Sequence, residues 1–120
     1  MNYMIYEIRG KQVMLDSDLA IFYECKNGAK EINQAVKRNI KRFPEDFGFR
    51  MTKEEYDILL KSQSEVSKLN TIAEKQQYPY VFTEEGILML STVLRTPKAA
   101  EINIEFLNEF ALMAQMMGDN

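Results

Sequence analysis

The sequence predicts a compact α+β domain of winged helix-turn-helix-like type, with an N-terminal β-hairpin, a second short antiparallel strand pair and a long C-terminal helix. Three observations carry that expectation. Two short apolar runs flank Gly10 and Lys11 near the start of the chain; a short capped helix leads through Asn27-Gly28 into a basic amphipathic helix; and residues 97–117 hold an unbroken helical pattern. Its 120 residues make it one domain, 1–120, on size grounds.

Met4 to Arg9 and Gln12 to Leu15 are rich in β-branched and aromatic residues, and Gly10 at the first central position suits a two-residue type II′ turn. Asp16-Ser17-Asp18 then offers N-cap side chains ahead of LAIFYE, a short helix with Leu19, Ile21, Phe22 and Tyr23 inward. Asn27-Gly28 ends it in a three- or four-residue turn, and the basic helix follows over about 29–43. On a helical wheel Ile32, Ala35, Val36, Ile40 and Phe43 gather on one side, with Lys30, Gln34, Lys37, Arg38 and Lys41 opposite. This order of helix, turn and cationic helix is the outline of a helix-turn-helix.

Pro44 closes the basic helix, and residues 47–51 alternate as a strand. Thr52 to Glu55 form a capping box for a third helix with Tyr56, Leu59 and Leu60 inward. Residues 61–77 are polar and read as a mobile loop or a frayed helix end. Tyr78 to Phe82 is a second strand, which Pro79 confines to an edge or a strand start. Paired with residues 47–51, it makes an antiparallel ribbon in the position of a wing. Thr83 caps a largely buried helix bearing Ile87, Leu88, Leu90, Val93 and Leu94, and Thr96-Pro97 opens the last one. Two stripes run along that last helix, Ala99, Ile102, Phe106, Phe110, Met113 and Met117 beside Ala100, Ile104, Leu107 and Ala111. Either the domain covers both, or one of them, with Ile102, Phe106, Phe110, Met113 and Met117 the candidates, meets a second copy.

Charge is unevenly spread. From Lys26 to Arg42 six cations face one acid, a local +5 in a chain of net charge −3 and pI of about 5.1. From Thr83 onward six acids oppose two bases, a balance of −4. Composition alone favours a solvated surface for the basic helix, because an acidic chain does not coat nucleic acid indiscriminately. The asymmetry instead suggests one face for an anionic partner.

Several chemistries find no residues. The chain has no histidine and one cysteine, Cys25, so it lacks the side chains for a histidine-based acid–base pair, a serine triad or a zinc site. Cys25 has no base beside it in sequence and reads as a structural thiol. Glu54-Glu55 and Glu84-Glu85 sit in first helical turns, where the helix dipole explains them. No phosphate-binding glycine motif occurs, and neither an enzyme, a cofactor nor a metal is expected. Nor is there an apolar run long enough to span a bilayer or a signal-peptide pattern, which with the single cysteine fits the cytoplasm.

IRGKQVMLDSDLAIFYE, INQAVKRNIKRFPEDFGFRMT, YVFTEEGILMLSTVL and AAEINIEF, in that order over about residues 8–110, resemble the phage and prophage ORF-six N-terminal domain family, related to KilA-N and Bro-N domains. NQAVKRNIKRFPEDFGF and YVFTEEGILML are the specific segments. The resemblance implies a DNA-binding, winged helix-turn-helix-like domain of mobile-element regulators and antirepressor-like proteins. It also implies that members continue into a variable C-terminal region, so 1–120 is either the whole protein or the N-terminal part of a longer one.

The expected function is to read double-stranded DNA through Lys30, Asn33, Gln34, Lys37, Arg38 and Lys41, with Lys11, Arg50 and Lys53 adding phosphate contacts. The alternative is an antirepressor-type module that captures a repressor protein through the apolar C-terminal helix. Asn39 lies on the core side of the wheel and is expected to serve the fold, and Arg42 to pair with Glu45 or Asp46.

Overall fold

A computed structural model describes residues 5–61, 78–94 and 96–118. The stretch 62–77, most of the polar segment expected as a loop or frayed end, lies outside them. Among the described residues the chain is α+β: strands β1 (Tyr6–Ile8) and β2 (Lys11–Leu15), helices α1 (Asp16–Phe22) and α2 (Ala29–Arg38), a 3₁₀ turn (Ile40–Arg42), β3 (Gly48–Arg50), α3 (Lys53–Lys61), β4 (Tyr80–Phe82), α4 (Glu84–Val93) and α5 (Pro97–Gly118). The strands form one antiparallel sheet in the order β1-β2-β4-β3.

The sheet carries the core on both faces because strand residues alternate. Met14 and Phe82 point into a cluster with Leu19, Ile32, Val36, Ile87 and Phe106, while Val13, Leu15 and Val81 point into another with Phe49, Tyr56 and Leu59. Thus α1, α2, α4 and α5 cover one face and α3 the other. The second strand pair is not a free wing: β4 is central, hydrogen-bonded to β2 and β3, and Pro79 stands just before its start.

The hairpin turn differs from expectation. Ile8 pairs with Lys11, so Arg9 and Gly10 are its central residues, and both have positive φ, at 57° and 73°. That is a type I′ turn, which matches strand twist but strains a non-glycine residue. Arg9 is held there by Glu55 at 2.6 Å, Glu45 at 3.4 Å and the Phe49 ring, 3.8 Å below its guanidinium. Glu55 also completes the capping box with Thr52, accepting from the Thr52 amide while Thr52 Oγ1 accepts from the Glu55 amide.

Helix α1 starts at Asp16, earlier than expected, because that carboxylate turns inward. Leu19, Ala20 and Tyr23 are buried and Phe22 is half-buried against Phe106, whereas Ile21, expected inward, is 72% exposed. The turn before α2 spans six residues, 23–28, and opens with a Schellman closure: Cys25 N donates to Ala20 O and Glu24 N to Ile21 O, with Glu24 at φ 58°. Gly28, at φ 63°, then leads into α2.

Two joints of the chain, FPEDFGF and YVFTEEG, meet each other in space. Thr83 Oγ1 donates to Asp46 O at 2.8 Å and accepts from Gly86 N, and Thr83 N donates to Phe47 O at 3.0 Å. This ties β4 and α4 to the turn that follows α2.

Candidate nucleic-acid interface

Helix α2 buries Ile32 and Val36 and turns Lys30, Gln34, Lys37 and Arg38 outward, as its amphipathic spacing requires. It stops five residues short of the expected end. Asn39 leaves helical geometry, and its Nδ2 donates to Ala35 O at 2.8 Å, which ends the helix from within its own sequence. The following 3₁₀ turn breaks the wheel's phase. Phe43 stays buried, but Ile40, expected inward, is 57% exposed.

Beside α2, the β3 and β4 strands complete a groove of about 970 Å³ lined by Lys30, Asn33, Gln34, Val36, Lys37, Ile40, Arg50 and Tyr80. The structure therefore brings together five expected site residues: Lys30, Asn33, Gln34, Lys37 and Arg50. Arg38 and Lys41 are exposed on the same helix and turn but do not line the groove. Lys53 is exposed at the start of α3 and does not line it either, and Lys11 holds Asp46 at 2.7 Å beside a separate hollow with Glu84 and Glu85. Arg42 does not pair with Glu45 or Asp46 among the described residues. The hairpin takes those acids through Arg9 and Lys11, and Arg42 reaches Thr92 at 3.5 Å.

The cations differ in commitment. Lys30, Gln34, Lys37, Arg38 and Lys41 make no ion pair or side-chain hydrogen bond among the described residues, so their donors face solvent. Arg50 is partly engaged: Nη1 donates to Tyr78 O at 2.7 Å and the guanidinium sits 5.4 Å from the Tyr80 ring centre.

Beneath the groove lies a brace that the sequence did not disclose. Asp16 is 5% exposed and its Oδ2 accepts from Asn33 Nδ2 at 3.0 Å and from Tyr80 N at 3.3 Å, linking α2 to β4. Asn33, expected at the margin of the DNA contacts, is thereby engaged as a structural tie, its Oδ1 buried without a donor. Burial raises the Asp16 carboxyl above its ordinary range, against the hydrogen bonds from Asn33, Tyr80 and Ser17 that favour its charge.

Asp18 is less well served. Burial and then the neighbouring Asp16 charge push it from 3.8 up to about 6, and its Oδ2 has no partner. An acid whose pKa is raised by folding favours the fold in its protonated form, so the penalty is absent below the unfolded value and grows as pH climbs through about 6. Asp18→Asn is expected to stabilise the domain by about 1–2 kcal/mol at pH 7, after allowance for partial solvent screening, and to have no such advantage at pH 4. Urea unfolding of both proteins at the two pH values checks this. An advantage equal at both would remove the charge as its cause.

Burial, then Glu31, raises the Cys25 thiol to about 11, which leaves it protonated at neutral pH and suits a structural residue. No group of three or more candidate metal ligands occurs among the described residues, and no described helix is long and apolar enough to cross a membrane.

On α5, Ile102, Phe106 and Phe110 are 6%, 0% and 4% exposed, packed against α1 and α4. They are core and cannot serve as a dimer surface in the folded chain; Met113 is half-buried, and the Met117 side chain lies outside the described residues. Asn103 adds to this packing, accepting from the Tyr23 hydroxyl and donating to Ile87 O. The stripe left uncovered is the other one, with Ala100, Ile104 and Ala111 exposed and Leu107 half-buried.

Compared with known families, residues 3–93 match the ORF6N domain, a span that stops before AAEINIEF. No curated protein and no solved structure matches the chain.

Proposed function

The chain belongs to the ORF6N domain family, a family of non-enzymatic, phage-type regulatory domains, and from that premise we propose that it is the DNA-binding module of a phage or prophage regulator acting in the cytoplasm. The observation that carries this reading is the sorting of cations. Lys30 and Lys37 of α2 stand unpaired at the groove, and Arg38 and Lys41 stand unpaired beyond it, whereas Arg9 and Lys11 are held by neighbouring acids. Unpaired surface cations at helical spacing release counterions when they meet phosphates, and they lose little by leaving solvent.

In this reading α1, the turn and α2 act as a helix-turn-helix, and β3, an edge strand of the sheet, lies beside α2. Gln34 and Arg38 address base edges in duplex DNA, an amide suiting adenine and a guanidinium suiting guanine. Lys30, Lys37 and Lys41 hold phosphates, Arg50 reaches the backbone from the strand side, and Lys53 lies further out. Selection from a random duplex pool tests specificity. Wild-type protein is expected to enrich one short motif, and Gln34→Ala to relax it at one position. An unselected pool would contradict base reading.

A second reading rests on the uncovered stripe of α5. Ala100, Ile104, Leu107 and Ala111 follow one another at helical spacing with Ile104 64% exposed, a surface for a second copy or for a repressor protein. Light scattering is expected to give a dimer that Ile104→Asp converts to a monomer with unchanged circular dichroism. A monomer in both cases, together with a protein partner retained after nuclease treatment of a lysate, would favour repressor capture.

A further inference from the structure

The groove beside α2 is not shaped for phosphates alone. Its cations, Lys30, Lys37 and Arg50, stand among an apolar set, Val36, Ile40 and the Tyr80 ring. A phosphate is held by donors and gains nothing from such a lining. A recognition helix that only presses into a major groove has no need of a hollow along its side. At about 970 Å³ the hollow is of the size that takes a small organic molecule.

Two of its residues shape it: an aliphatic side chain that the fold leaves in solvent, and a ring that packs only in part on the core. Ile40 is 57% exposed, left there when the helix ends at Asn39, although four neighbouring positions in the same segment are cationic. Tyr80 is fixed from both sides: its amide donates to Asp16, its cross-strand partner is Arg50, and the Arg50 guanidinium lies against its ring. A half-buried aromatic ring, an exposed aliphatic side chain and cations on both sides together fit a flat, apolar-faced group joined to phosphates.

On the premise of the DNA-binding reading, we infer that this groove receives an unpaired nucleobase, packed against Tyr80 and Ile40, with its flanking phosphates on Lys30, Lys37 and Arg50. Stacking on an aromatic side chain tolerates any base, so the site recognises the unpaired state and leaves sequence to Gln34 and Arg38. The base comes either from single-stranded DNA or from a nucleotide extruded from a duplex, where unpaired positions cost least to extrude.

Fluorescence anisotropy with the full chain separates these outcomes, using a perfect duplex, the same duplex carrying one unpaired base, and the single strand. The unpaired-base duplex or the single strand is expected to bind about 10-fold more tightly than the perfect duplex. A preference confined to the single strand assigns the ligand to single-stranded DNA, and one shared by the unpaired-base duplex assigns it to an extruded base. Tyr80→Leu should erase the preference, bringing the three ligands to the same affinity as one another. Ile40→Ser, at an exposed position that folding does not depend on, should reduce it as well. Equal binding of all three, tighter binding of the perfect duplex, or a preference that both variants retain would overturn the inference and leave duplex binding standing. Binding to none of the three would overturn both.

Discussion

Gly86→Ala is expected to destabilise the domain by about 3–5 kcal/mol and to lower its Tm by more than about 10 °C. A Cβ at position 86 would stand 1.9 Å from the Phe47 carbonyl oxygen and 2.9 Å from its carbon. Both are backbone atoms, so no rotamer change relieves the clash. Helix α4 would have to move off the 44–48 turn, and Thr83 would lose its bonds to Asp46 O and Phe47 O. Such a displacement also strips Ile87 and Leu90, both fully buried, of their packing against the sheet. Against a typical domain stability of about 5–15 kcal/mol, the variant is expected to be marginal or unfolded. Leu88→Ala, on the same helix but 55% exposed, is the control and should cost less than about 1 kcal/mol. Thermal melts of the two variants check the pair, and equal melting would show that the close approach of α4 to Phe47 is not what holds this joint.

The second large effect concerns binding. Lys37→Ala combined with Lys41→Ala is expected to weaken duplex DNA about 10- to 100-fold at low salt, for all sequences alike, and to make the slope of log K against log salt shallower by about 2. Both side chains are exposed and unpaired, so the folded domain loses no internal contact and its Tm should stay within about 2 °C of wild type. A loss confined to particular sequences would instead place one of these lysines on a base edge.

Most elements were legible because their signals are local. The Thr52–Glu55 capping box, the Thr83 and Thr96 caps, and the Leu59–Leu60 and Ile32–Val36 stripes are each set by residues within one or two turns of one another. The failures share a cause as well. The type I′ turn at Arg9-Gly10 depends on Glu55 and Phe49, 46 and 40 residues away, which compensate the left-handed Arg9. Ile40 was misplaced because a wheel assumes one continuous helix, and Asn39 ends that helix through a side-chain bond to Ala35. The apolar stripe assigned to a partner on α5 proved to be the one that Tyr23, Phe22 and the α4 helix cover. Two stripes of similar hydrophobicity give no local signal as to which faces inward.

For the groove, sequence supplied the α2 side and missed the other. Lys30, Gln34 and Lys37 follow from helical spacing, and strand alternation in YPYVF already sets Tyr80 opposite the buried Val81. What it does not supply is the register that places Arg50 across from Tyr80, or the 64-residue separation over which Asp16 holds the Tyr80 amide.

The central claim is that the unpaired cations of α2 and its 3₁₀ turn meet the phosphates of duplex DNA, and titration of labelled genomic duplex fragments across a range of salt concentrations tests it most directly. With three to five phosphates neutralised, log K should fall against log salt with a slope of about −3 to −4.5. Affinity that does not change with salt, or no binding at the lowest salt, would contradict it.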